Sequence, residues 1–123
     1  MKVLKCSRCG KVVVQLDQKP CPTMCCGLAM EELVPNTTEA SLEKHVPVIE
    51  RDGNTVKVTI GSVLHPSTPE HFIQWIVLET CNGYRYKPLR SDEEPVAVFT
   101  LADEEKVIAA YDYCNLHGFW KAE

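Results

Sequence analysis

The chain has 123 residues, 45% of them hydrophobic, which is room for one ordinary domain plus a small appendage. Lys and Arg total 13 against 17 Asp and Glu, and a net charge of −4 gives no electrostatic footprint for nucleic acid or an anionic membrane. No apolar run approaches the roughly 20 residues of a membrane-crossing helix, and the segment after Met1 has no apolar signal region, so the expected location is the cytoplasm.

The segment from Met1 to about Pro35 carries few large apolar residues but five of the seven cysteines, Cys6, Cys9, Cys21, Cys25 and Cys26. Such a segment needs a metal or a partner to fold. Val12 to Leu16 is expected as a short strand, and Leu28 to Val34 as another. Pro35 to Thr38 reads as a linker, with one helical turn expected between Asn36 and Leu42. From His45 onward the pattern is β. Val48 to Arg51 meets Asp52-Gly53, a type I′ hairpin signal. Thr55 to Ile60 alternates, with Val56, Val58 and Ile60 on one face. Phe72 to Thr80 closes on Asn82-Gly83, another hairpin signal, and Tyr84 to Leu89 returns. Val96 to Leu101 and Lys106 to Tyr113 are two more strands, and Phe119-Trp120 ends the pattern. About seven short strands with turns between them predict an antiparallel β-sandwich of immunoglobulin-like type.

Cysteines at close spacing, odd in number and without a secretory signal, read as metal ligands before disulfides. Cys6-Ser7-Arg8-Cys9-Gly10 is a knuckle that brings two thiolates to one metal, and Gly10 tolerates the positive φ of its turn. Adjacent Cys25-Cys26 is a poor fit to an ordinary zinc ribbon. Four thiolates suit zinc or iron, and spacing leaves that choice open. Cys21, between Pro20 and Pro22, is read as a free thiol.

All four histidines follow the clustered cysteines. His65 and His71 flank a loop with Pro66 and Pro69, a spacing wrong for one helix face but suited to wrapping a metal. Cys114 and His117 have the C-x-x-H spacing of a chelating pair. A lone histidine such as His45 is more often an ordinary core or surface residue. Together the five candidates exceed the four that zinc takes, and they point to a redox metal with one open position.

These residues bring the chain close to a known family. The C-x-x-C pair with vicinal Cys25-Cys26, the E-K-H-x-P segment at Glu43, the H-P-x-x-P-E-H loop at His65 and the C-N-x-H-G-x-W end at Cys114 resemble desulfoferrodoxin, the two-iron class of superoxide reductase. The resemblance implies a desulforedoxin-like FeS4 domain over residues 1–36 and a catalytic β-sandwich over residues 37–123. It implies two mononuclear irons. Cys6, Cys9, Cys25 and Cys26 would hold the first. His45, His65, His71, His117 and Cys114 would hold the second, which reduces superoxide to hydrogen peroxide without releasing dioxygen. It gives Glu43 as a carboxylate ligand of the oxidised iron and Lys44 as the cation beside the open position. It further implies rubredoxin as electron donor, a homodimer and an anaerobic host. Cys21 and Cys81 receive no role. Two other readings stand beside this one. An electron carrier would normally close its ligand set, and a zinc-stapled binding module leaves the five C-terminal candidates unused.

Overall fold

A computed structural model describes residues 1–123. The chain divides into two units, Met1–Val34 and Pro35–Glu123. Five short strands make the first: β1 (Lys2–Lys5), β2 (Val12–Gln15), β3 (Met24–Cys25), β4 (Leu28–Ala29) and β5 (Glu31–Glu32). β1 lies between β2 and β5 in one antiparallel sheet, and β3 pairs with β4. β1 is not among the expected strands, because two lysines bracket only Val3 and Leu4, yet both apolar side chains are buried. The run from Leu28 to Val34 is not one strand. Leu28–Ala29 pairs with Met24–Cys25, whereas Glu31–Glu32 pairs with Leu4 and Lys5. The chain changes partner at Met30, whose N–H donates to the Thr23 carbonyl at 2.8 Å.

The second unit contains α1 (Leu42–His45) and seven strands: β6 (Pro47–Asp52), β7 (Thr55–Ile60), β8 (Ile73–Thr80), β9 (Gly83–Pro88), β10 (Val96–Thr100), β11 (Val107–Cys114) and β12 (Gly118–Ala122). The helical turn lies later than expected, because Val46 before Pro47 is held extended (φ −71°, ψ 127°) and sets its end. The strands form two antiparallel sheets, ordered β10-β7-β6 and β12-β11-β8-β9. Their inner faces meet in one core, with Val56, Val58 and Ile60 from β7, Ile76 and Leu78 from β8, and Ala110 from β11. Each large aliphatic side chain among them contributes about 1.5–3 kcal/mol on burial. The sandwich expected from the strand pattern is therefore the observed architecture.

The β6–β7 connection is Gly53-Asn54, since Asp52 pairs with Thr55. Only Gly53 takes positive φ there, at +60°, which marks a type II′ turn instead of the expected I′.

Antiparallel pairing sorts the ends of the sandwich. Pro47, Ile60, Ile73 and Cys114 share one end. Asp52, Thr80 and Val107 share the other. The second end is closed by the buried carboxylate of Glu105. It accepts hydrogen bonds from Thr80 Oγ1, from both terminal nitrogens of Arg85 at 2.8 and 3.0 Å, and from the Ala102 N–H at 2.8 Å. Arg51 from the opposite sheet donates to the Glu105 carbonyl.

Candidate metal centres

In the first unit the four cysteines Cys6, Cys9, Cys25 and Cys26 bring their sulfurs within 4.8 Å of one another. Cys9 Sγ lies 3.6 Å from Cys25 Sγ, and Cys25 Sγ lies 4.0 Å from Cys26 Sγ. A tetrahedron of thiolates on roughly 2.3 Å metal–sulfur bonds has edges of about 3.8 Å, so the cluster fits a single ion. Successive residues in a strand point to opposite faces. Cys26 escapes that rule by adopting φ +53°, followed by Gly27 at +75°, and this lets vicinal thiols serve one centre. The N–H groups of Cys9 and Arg8 draw the Cys6 thiol down to about 6. Hydrogen bonding with the Cys9 and Cys6 sulfurs pushes Cys25 up to about 12. Cys26 is raised as well, chiefly by its hydrogen bond with Cys9, so the vicinal pair resists ionisation while Cys6 favours it. Cys21 and Cys81 are exposed and outside this cluster.

At the first end of the sandwich, His45, His65, His71 and Cys114 converge with their donor atoms within 4.8 Å of one another. His117 joins them through Nδ1, which is 3.1 Å from His45 Nε2 and 3.9 Å from Cys114 Sγ. Neighbouring nitrogens on 2.0–2.1 Å metal bonds at right angles stand about 3 Å apart. His45, His65 and Cys114 are buried, and His71 and His117 are half-buried.

The main chain orients two of the rings. His45 Nδ1 donates to the Ser41 carbonyl and His65 Nδ1 to the Pro66 carbonyl, each at 2.7 Å. Both rings therefore present Nε2, the unprotonated nitrogen, to the site. His65 Nε2 and His71 Nε2 are buried with no hydrogen-bond partner. An orphaned buried polar atom costs about 1–3 kcal/mol, which a metal bond would offset. Burial also holds His45 and His71 below the usual imidazole range and takes His65 down to about 4. These three imidazoles thus favour the neutral state, the form that binds metal. Burial raises the Cys114 thiol, while the N–H groups of His117 and Leu116 pull it back down.

Local folding explains the placement. Pro47 ends α1 one turn after Ser41, with His45 at its inner corner. The loop after β7 clasps that turn, for the Val63 N–H donates to the Glu43 carbonyl at 3.0 Å and the Gly61 N–H to the Val46 carbonyl at 3.2 Å. A Cβ on Gly61 would come within 2.9 Å of the Glu43 carbonyl and Lys44 Cα, and Gly61 also holds φ +87°, so only glycine fits. On β8 the buried phase jumps from Ile73 to Ile76, because a bulge opposite Tyr113 and Cys114 inserts Gln74.

Glu43 and Lys44 are exposed on α1 and are not among the converging donors. The Lys44 charge still reaches the site, since it helps to lower both His45 and His71 after burial and the neighbouring histidines.

The desulfoferrodoxin family model matches residues 37–123. The chain belongs to the desulfoferrodoxin family. Desulfoferrodoxin from Nitratidesulfovibrio vulgaris is 42% identical over 99% of this chain and 95% of its own. A superoxide reductase from Pyrococcus horikoshii is 42% identical over 66% of this chain and 85% of its own. The crystal structure of superoxide reductase from Treponema pallidum matches with TM-score 0.81 and 36% identity, covering 98% of each chain.

Three residues beside the centre of this desulfoferrodoxin-family chain carry no expected role, or only a minor one. Trp120 belongs to the last strand of the expected pattern. It is fully buried, but it also stacks on His45 at 4.8 Å and donates from Nε1 to the His117 carbonyl at 3.1 Å. Asp112, two residues before Cys114, is buried with both carboxylate oxygens unpaired, and burial pushes its carboxyl well above the usual range. Asn115 joins two ligand-bearing loops. Its position inside the C-x-x-H spacing is the one signal available in the sequence.

Proposed function

We propose that this chain is a superoxide reductase, which adds one electron and two protons to superoxide and yields hydrogen peroxide with no dioxygen released. The observation that carries this reading is the convergence of four imidazoles and one buried thiol, with two ring nitrogens left unpartnered. In this reading His45, His65, His71, His117 and Cys114 hold one iron, and Cys6, Cys9, Cys25 and Cys26 hold the other. Iron in the five-donor site supplies a one-electron reducing centre, made electron-rich by its thiolate. The test is stoichiometry under a steady supply of reductant. The expected result is one peroxide for each superoxide consumed and no dioxygen. Dioxygen evolution with one peroxide per two superoxides would show a dismutase instead.

The protein's own residues handle the anion and its protons. Lys44, exposed beside the histidines, attracts superoxide into the site and holds water for proton delivery. Steering of this kind raises association rates by roughly ten- to a thousandfold. Lys44→Ala is expected to slow superoxide capture by about tenfold at low salt and to flatten its ionic-strength dependence. Pulse radiolysis checks this, and an unchanged low-salt rate removes the role. Glu43, on the same turn, is assigned as the carboxylate partner of the oxidised site.

The iron of the four-cysteine site is assigned chiefly to folding. In Met1–Val34 only Val3, Leu4 and Cys6 are buried apolar side chains, too few for an independent core. Exposed Val14, Leu16, Met24, Leu28 and Val34 in that unit support self-association, and a homodimer is the assembly proposed. Rubredoxin is the proposed electron donor, on the family resemblance. No helix is long and apolar enough to cross a membrane. The seven free cysteines suit a reducing compartment, and the cytoplasm is the proposed location.

A further inference from the structure

His71 and the Cys114–His117 turn come from distant parts of the chain, yet their donor atoms must meet within one coordination sphere. Asn115 lies where they are joined. Its side-chain Oδ1 accepts the Phe72 N–H at 3.0 Å, and its Nδ2 donates to the Glu70 carbonyl at 2.9 Å. Its own N–H donates to the Phe72 carbonyl at 3.2 Å. These three bonds grip the residues on both sides of His71. The His71 loop is already closed on itself. Thr68 N–H donates to the His71 carbonyl at 3.0 Å, and His71 N–H donates to the Thr68 carbonyl and hydroxyl, both at 3.1 Å. His71 thus sits in a small ring of main chain, and Asn115 fastens that ring to the turn bearing Cys114 and His117.

The residue type matters. A carboxamide offers one acceptor and one donor in the same plane, which is what an N–H and a carbonyl two residues apart require. Aspartate would meet the Glu70 carbonyl with a second acceptor, and alanine would leave both groups unmet.

We propose that Asn115 is a positioning residue, whose amide holds His71 in register with Cys114 and His117 so that their donors reach one metal together. The proposal rests on the metal-centre reading above.

The test uses the full chain with both irons loaded, as wild type, Asn115→Ala and Asn115→Asp. Iron release to a chelator is followed at the thiolate-to-iron absorption of the second unit, with the absorption of the four-cysteine site as internal reference. Loss of a residue that orients a ligand typically weakens metal binding about 10–100-fold. Both variants are expected to release the second-unit iron about tenfold faster or more, with a shifted or broadened band and an unchanged signal from the four-cysteine site. A merely structural residue would lower Tm and leave the band of the folded protein in place. Release and band position within twofold of wild type in the folded variants overturn the proposal. If Asn115→Ala does not fold, Asn115→Asp decides. Hydrogen exchange over residues 68–73 in wild type provides a measure that needs no variant. Slow exchange is expected, and exchange at the rate of an open loop overturns the proposal. Wild type that binds iron only at the four-cysteine site would instead defeat the metal-centre reading.

Discussion

Cys114→Ser is expected to abolish the thiolate-to-iron absorption of the second unit and to cut superoxide turnover by more than about a hundredfold, beyond the 10–100-fold typical of losing an outer-shell partner. Cys114 is fully buried among Ile73, Ile76 and Ala110, so the smaller hydroxyl fits without moving the strands. The N–H groups of Leu116 and His117 that favour a thiolate would still find an acceptor. A serine hydroxyl does not ionise there, however, and it cannot replace the soft, electron-donating sulfur. The four imidazoles remain, so metal uptake is weakened and not eliminated. Visible absorption with metal analysis checks the first part, and superoxide kinetics the second. The band of the four-cysteine site should persist unchanged, which separates a local defect from unfolding. A retained second-unit band would remove Cys114 from the ligand set.

At the opposite end of the sandwich, Glu105→Ala is expected to give a large fall in the stability of the second unit. Removal of the carboxylate leaves the Arg85 guanidinium, the Thr80 hydroxyl and the Ala102 N–H facing a void. A half-satisfied buried network is worse than none. The cost should appear as a lower Tm of the second unit, with the thiolate-to-iron band in place until melting begins. The effect also has a sign in pH. The Thr80 hydroxyl, then the Ala102 N–H and Arg85, hold the Glu105 carboxyl below its ordinary value of 4.5. Its folded form thus binds protons less readily than its unfolded form. The stability it supplies is complete above the ordinary carboxylate range and is lost as pH falls through the lowered folded value. Glu105→Gln should therefore melt earlier than wild type at neutral pH, and the gap should narrow in acid. Thermal melts from pH 7 to pH 3 decide this. Equal Tm at pH 7 would count against the network.

The sandwich was legible because each strand has its own local signal. Val56, Val58 and Ile60 alternate on β7, and turn residues separate the strands. Where the structure departs, a non-local term decides. The Leu28–Val34 run has the composition of one strand, but Met24–Cys25 and Leu4–Lys5 compete for it and split it at Met30. Val3 and Leu4 are too short an apolar run to predict β1, which the metal-ligand loops and two flanking strands hold in place. The converging cysteines and histidines were legible as candidates from residue type and spacing, and the family resemblance grouped them into two ligand sets. The residues that aim them were not. His45 and His65 are oriented by main-chain carbonyls, which leave no mark on composition. Asn115 bonds to backbone groups more than forty positions away, so its role becomes visible only once β8 and β11 are paired.

Asn36 shows how the second unit ends its larger sheet. β12 lies at the edge, where open N–H and carbonyl groups form a template for an additional strand. Asn36 takes up three of those groups. It accepts the Lys121 N–H through Oδ1, donates to the Lys121 carbonyl through Nδ2 and gives its own N–H to the Phe119 carbonyl. At φ +61°, one residue imitates a paired strand without continuing as one. The sheet therefore stops growing at the border that carries His117, and a sticky edge that could recruit other chains into aggregates is blunted beside the reactive centre.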